Sequence, residues 1–142
     1  MPTINSSTKI NAPVDKVFAY VTDPTNLAEW MVGITEVKDV TGSGVGQHHH
    51  WTYKMVGIPL HGETTISECV PNERWVTNSK GGATSIFTFT FAPHEGGTKL
   101  NVDIDYTIPI PVLGNLAEQL VLKRNQRDMD VSMENLKDNM EA

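Results

Sequence analysis

The sequence predicts an α+β fold: a curved antiparallel sheet of six to seven strands wrapped around one long C-terminal helix, with two short helices after the first strand. Three observations carry this reading. Residues 113–142 are the only stretch long and regular enough for a many-turn amphipathic helix. Most of the chain before them alternates apolar and polar residues at the period of a strand with one covered side. Short turn-forming clusters separate these segments, which joins neighbours as antiparallel hairpins.

Length and composition set the frame. A chain of 142 residues suits one domain, 1–142, burying roughly 70% of its unfolded surface, enough for a core and a ligand cavity. A formal charge of −6 and a pI near 5.2 argue against nucleic acid or an anionic membrane surface as partner. Cys69, the single cysteine, has no internal disulfide partner and fits a reducing compartment. There is no apolar run of bilayer length and no basic-then-apolar leader. The expectation is a soluble, cytoplasmic protein without membrane insertion.

The elements follow in order. Ile4, Ser6, Thr8 and Ile10 alternate with polar neighbours, a half-buried strand. Pro13 suits a first helical turn, and Val14, Val17, Phe18 and Val21 fall at helical spacing. Asp23-Pro24 breaks that helix and starts another with Leu27, Trp30 and Met31 on one side, which Gly33 closes. Ile34 to Val40 reads as a strand, followed by a Gly-rich run. From Gln47 onward His49, Trp51, Tyr53 and Met55 share one face, and beyond a turn at Val56–Pro59 Leu60, Gly62, Thr64 and Ile66 continue it. Across the Gly81-Gly82 turn, a two-residue loop sets Trp75 beside Thr88. A three-residue loop sets it beside Phe89 and gathers Trp75, Phe87, Phe89 and Phe91 on one face, the register adopted here. After a turn over Pro93–Gly97, Leu100, Val102, Ile104, Tyr106 and Ile108 form the last strand.

Pro109 and Pro111 end that strand. Gly114 bends the chain, and Asn115 with Glu118 forms a cap-like pair for the helix. At about 1.5 Å per residue the helix reaches about 40 Å. It carries two apolar stripes on nearly opposite sides: Leu116, Ala117, Leu120 and Val121, then Leu122, Met129, Met133, Leu136 and Met140. Two stripes suit a helix held by its C-terminal half with its N-terminal half over something else. The second stripe fits either core or a homodimer or protein-partner contact.

Ile10-Asn11-Ala12-Pro13 before Val17-Phe18, Asp23 with Leu27 and Trp30, Gly44-Val45-Gly46 before a strand, Pro71 to Arg74, Gly96-Gly97-Thr98 and Asn135-Leu136-Lys137 together resemble the START/birch-allergen (SRPBCC) superfamily of helix-grip proteins. The likeness is to its polyketide cyclase/dehydrase and lipid transport branch, and the chain is also similar to the small G-like accessory proteins found beside carbon monoxide dehydrogenases. The resemblance spans nearly the whole chain. It implies a hydrophobic cavity between sheet and helix that carries lipids, hormones or polyketides, or catalyses on them. The G-like relatives often add a membrane-associating C-terminal tail, which this sequence is not expected to supply.

The candidate cavity residues are Trp30, His49, Trp51, Tyr53, Ile66, Trp75, Phe87, Phe89, Val102, Ile104 and Tyr106, with Leu116, Leu120 and Arg124 from the helix. His49 on an aromatic face is either an anchor for a ligand oxygen, a general acid/base, or a satisfied core histidine. Tyr53 and Tyr106 each bury a ring and offer a hydroxyl. Arg124 and Arg127 share the helix side of Leu120 and Val131, either to bind a ligand carboxylate or as surface charges. His48 and His50 could share a metal only with Glu63 or His61 on the paired strand, on the wet face. A solvated polar face is the adopted reading, so neither metal nor cofactor is expected. Cys69 alternates with the wet face and lacks an activating base. No phosphate loop, nucleophile elbow or His-Glu-x-x-His occurs. The expected function is carriage of a small hydrophobic or amphipathic ligand, such as a lipid, quinone or polyketide. The alternatives are a cyclase or dehydratase using His49 and a tyrosine, or an accessory protein to a redox enzyme.

Overall fold

The computed structural model describes residues 3–55, 57–82, 84–107 and 115–142, without the side chains of Met55 and residues 115–118. β1 (Thr3–Ile10) leads into α1 (Val14–Val21), a 3₁₀ turn (Pro24–Asn26) and α2 (Leu27–Trp30). Six strands follow: β2 (Ile34–Thr41), β3 (His48–Met55), β4 (Ile58–Val70), β5 (Arg74–Gly81), β6 (Thr84–His94) and β7 (Gly97–Thr107). α3 (Asn115–Glu141) comes last. The strands form one antiparallel sheet in the order β1-β7-β6-β5-β4-β3-β2. One face of this sheet packs against α3, the helix-grip arrangement.

Among the described side chains of α3, one stripe meets the core. Met129, Met133 and Leu136 are 5%, 1% and 0% exposed, at the i, i+4, i+7 spacing of one helical face. Leu122 and Met140 pack at its margins. This stripe is core, not a contact left free for a partner. Leu120 lies about 180° around the helix from Met129 at about 100° per residue, and it is 62% exposed. The expectation that Leu120 faces a cavity is therefore corrected. Arg124 and Arg127 share its exposed side with Val131.

The C-terminal half of α3 is also tied down by hydrogen bonds. Gln126 Nε2 donates to the Asn5 carbonyl at 2.9 Å, and Lys137 Nζ donates to the Lys9 carbonyl at 2.7 Å. The Val32 N–H donates to Ser132 Oγ at 2.9 Å, Asn135 Nδ2 donates to the Trp30 carbonyl at 3.3 Å, and the Asn11 N–H donates to the Glu141 carboxylate at 2.7 Å. The helix is thus gripped by β1 and by the segment around α2. Pro109, Pro111 and Gly114, and the Asn115–Glu118 side-chain pair, lie outside the described residues and side chains.

The short helices close one end of the sheet. α1 buries Val17 and Val21, and Phe18 meets Trp75 and Phe91 edge-on at ring separations of 6.1 and 5.0 Å. Trp30 is 1% exposed and stands edge-on to Phe89 at 6.3 Å, and Val102 is fully buried. Both are core.

The register follows the three-residue loop, with Trp75 opposite Phe89. Two local features depart from simple alternation. The β4–β5 pairing shifts between Ile66 and Glu68, which sets Cys69 opposite Trp75 and packs it against the core, not on the wet face. A bulge moves the side chains after it to the other face. β6 continues through Pro93 to His94, so the last hairpin turns over Glu95-Gly96, both at positive φ. The β5–β6 pairing has ended by Thr90, so Pro93 removes no ladder bond on that side.

Candidate functional site

A cavity of about 160 Å³ lies between the sheet and the middle of α3. A single water needs only about 10–15 Å³ of such space, so the cavity is roomy enough for an organic group. Its walls are mainly Ile66, Trp75, Phe87, Phe89 and Ile104 from the sheet, with Leu27, Met31 and Ile34 near α2. α3 contributes Asn125, Asp128, Met129 and Ser132. His49, Trp51, Tyr53 and Tyr106 also line it, whereas Trp30, Val102, Leu120 and Arg124 do not. Leu116 falls among the side chains that are not described.

Two glycines shape the aromatic wall. Trp51 pairs with Gly62 across β3 and β4, and its indole lies where a Cβ on residue 62 would stand. Gly33, at φ +96°, likewise leaves room for the Tyr53 ring. The missing side chains let both rings lie close over neighbouring backbone. A Gly62→Ala substitution should displace Trp51, seen as a shift in tryptophan fluorescence together with a stability loss of about 1–3 kcal/mol.

The sheet register brings together groups that no linear pattern joins. His49 pairs with Thr64, Thr64 with Ser79, Ser79 with Ser85, and Ser85 with Tyr106. These five residues form one polar row across β3 to β7, and all of them line the cavity. Trp51 Nε1 donates to Thr64 Oγ1 at 2.9 Å, and that hydroxyl shares a hydrogen bond of 2.6 Å with Ser79 Oγ. At the far end Asn125 Nδ2 donates to the Tyr106 hydroxyl at 3.1 Å. The adjacent row is largely apolar: Ile66, Thr77, Phe87 and Ile104. Sequence reasoning singles out His49 and Tyr106 but misses Thr64, Ser79, Ser85 and Asn125 as site residues. Alternation alone puts Thr64 on the face of Trp51, but the row joining it to Ser79 and Ser85 exists only in cross-strand register, and Asn125 enters only through the packing of α3 beside Tyr106.

The row is not fully satisfied by protein. Among the described residues, His49 Nδ1 and Oε1 of the buried Gln47 beside it have no hydrogen-bond partner. A buried polar atom left unpaired costs about 1–3 kcal/mol. Burial, reinforced by the charges of His48 and His50, lowers the His49 pKa to about 4. Burial also raises the pKa of Tyr53, with Asp128 adding to it and Arg124 opposing, and raises that of Tyr106 against the Asn125 hydrogen bond. Both phenols therefore remain hydroxyl donors.

The His49 shift has a testable sign. The unfolded imidazole takes a proton near pH 6.5 and the folded one only near pH 4. Stability from this residue is complete above 6.5 and declines as the pH falls through that window. The His49 ring resonances should stay at their neutral shifts from pH 7 to pH 5. An inflection near 6.5 would place the ring in water.

On the opposite face of β3, His48 and His50 stand beside Glu63 and are partly exposed. His61 meets the Thr52 hydroxyl at 3.1 Å.

A family model described as polyketide cyclase / dehydrase and lipid transport matches residues 1–141. No curated protein sequence matches the chain. Among solved structures, TTHA0849 from Thermus thermophilus superposes with a TM-score of 0.86 at 21% identity, covering 98% of this chain and 97% of that one. CV1439 from Chromobacterium violaceum gives 0.73 at 22% identity, covering 100% and 99%. DynU16, from the dynemicin biosynthetic locus, gives 0.66 at 19% identity, covering 99% of this chain but 47% of its own length. At these identities the likeness is one of fold. Among the described residues no helix is long and apolar enough to cross a membrane.

Proposed function

The chain belongs to the polyketide cyclase / dehydrase and lipid transport family, and from that premise we propose that it binds and carries a small amphipathic molecule in the cavity between sheet and α3. The observation that carries this reading is the polar row from His49 to Tyr106 beside the apolar wall of Ile66, Phe87, Phe89 and Ile104 in one cavity. The apolar body of the ligand lies against Phe87, Phe89, Ile104 and Ile66, and its polar group meets the row from His49 to Tyr106. Ligand pockets commonly combine an apolar lining with a few placed polar groups. No Lys or Arg is among the described residues lining the cavity, whereas the Asp128 carboxylate is, so the polar group is a neutral one, a hydroxyl, carbonyl or aromatic amine, in preference to a carboxylate or phosphate. At about 160 Å³ the cavity is smaller than the roughly 300–1,000 Å³ of typical ligand pockets. That favours a compact lipid, quinone or polyketide-like fragment.

The reading as a cyclase or dehydratase has less support. His49 and Tyr106 lie on strands four steps apart, about 19 Å along the sheet at about 4.8 Å per step. Among the described residues His49 Nδ1 meets no carboxylate that would orient it as a base.

Two probes of equal shape test the proposal. 1-Aminoanthracene carries one polar group on an apolar body and anthracene carries none. Both should bind, the first about 2- to 12-fold more tightly, as expected for one added hydrogen bond of about 0.5–1.5 kcal/mol. Failure of 1-aminoanthracene to bind, or equal affinity for both, would remove the role assigned to the polar row.

A further inference from the structure

The sheet face opposite the cavity holds a second cluster, independent of the ligand reading. We propose that His48, His50 and Glu63 form a site for a divalent transition-metal ion of the zinc class. β3 places His48 and His50 two residues apart on the outer face, and Glu63 of β4 pairs directly with His50. One ligand atom from each of the three lies within 4.8 Å of the others. Glu63 Oε2 stands 3.4 Å from His48 Nε2 and 3.5 Å from His50 Nε2. A tetrahedral Zn²⁺ with bonds of about 2.0–2.1 Å sets its ligands about 3.3–3.4 Å apart. Both distances are close to that edge length, and the third edge, between the two imidazoles, is within 4.8 Å, so seating an ion needs side-chain shifts of no more than about 1.5 Å. Three protein ligands leave the fourth position open to water.

Two neighbours support the arrangement. The other ring nitrogen of His50, Nδ1, lies 3.2 Å from Asp39 Oδ2 without meeting it in a hydrogen bond, so the carboxylate stands beside the ring as a charge, one side-chain rotation short of the pairing that orients metal-bound imidazoles. Asp39 reaches that place from a break in the β2–β3 pairing between Lys38 and Thr41, with a φ of +57°. Irregularities of this kind re-aim side chains near functional sites. Lys80 Nζ sits 3.2 Å from Glu63 Oε1 and leaves Oε2 turned to the imidazoles. Its charge opposes a cation, but its side chain is 75% exposed and well screened. The three ligand side chains are 30–42% exposed, so an ion has access. Bound there, it joins β3 to β4 and, through Asp39, engages the edge strand β2.

The test is a calorimetric Zn²⁺ titration of the untagged full chain, with a chromophoric chelator as competitor. The wild type should take up one equivalent. Asp39→Asn should weaken binding by no more than about 10-fold, since Asp39 is not hydrogen-bonded to the ring before an ion binds, and His50→Ala and Glu63→Gln by more than Asp39→Asn. Metal-free thermal midpoints should be unchanged in each variant. If His50→Ala fails to fold, His48→Asn supplies the same reading. Absence of stoichiometric binding in the wild type, or affinity unchanged in the folded His48 and His50 variants, overturns the site.

Discussion

Leu136→Ala should lower stability by about 2–5 kcal/mol, the usual cost of emptying a buried leucine site. Leu136 is 0% exposed and stands beside Met133 at 1%, where α3 is also fastened by the Asn135 and Lys137 hydrogen bonds. The neighbouring side chains come from sheet and helix together, so the site has little room to collapse. Leu120→Ala should change stability by no more than about 0.5 kcal/mol, because Leu120 is 62% exposed and surface substitutions usually fall in that range. Urea denaturation of the two variants measures the contrast directly. Equal losses would mean that α3 is not gripped by its C-terminal half.

Ser85→Trp should abolish ligand uptake while the fold survives. Ser85 lies in the polar row between Ser79 and Tyr106 and lines the cavity. An indole there fills the space a ligand would occupy. Affinity for 1-aminoanthracene should drop by about a hundredfold, roughly 2.7 kcal/mol. Overpacking should cost about 1–3 kcal/mol of stability. Val102→Trp is no substitute for this test, since Val102 is fully buried in the core and a tryptophan there would disrupt packing instead of plugging the cavity. Unchanged affinity in folded Ser85→Trp would place the probe elsewhere.

Period-two alternation and Pro/Gly punctuation make the strands, their order and the Trp75–Phe89 register legible in the sequence. A face with Trp51, Tyr53 and Phe87 is buried whatever it contacts. The long helix is legible as an element, but its orientation is not. Its two apolar stripes are alike in composition, and only tertiary packing selects Met129, Met133 and Leu136 over Leu120. Cys69 reads as a wet-face residue because a single inserted residue in β4 reverses the alternation, and no local residue marks that bulge. The polar row is invisible for a related reason. Thr64, Ser79 and Ser85 come from three strands and acquire meaning only once several registers are fixed together. The outer-face histidines are visible as a motif. What the sequence lacks is the direct pairing of His50 with Glu63 and the positive φ that turns Asp39 toward the ring.

The most direct test of the central claim is native mass spectrometry of the purified protein, followed by solvent extraction and identification of whatever is bound. Carriage of an amphipathic ligand predicts a reproducible added mass that extracts as an apolar body bearing a neutral polar group, and that is absent from Ser85→Trp. A bare protein mass that takes up neither 1-aminoanthracene nor anthracene would contradict it.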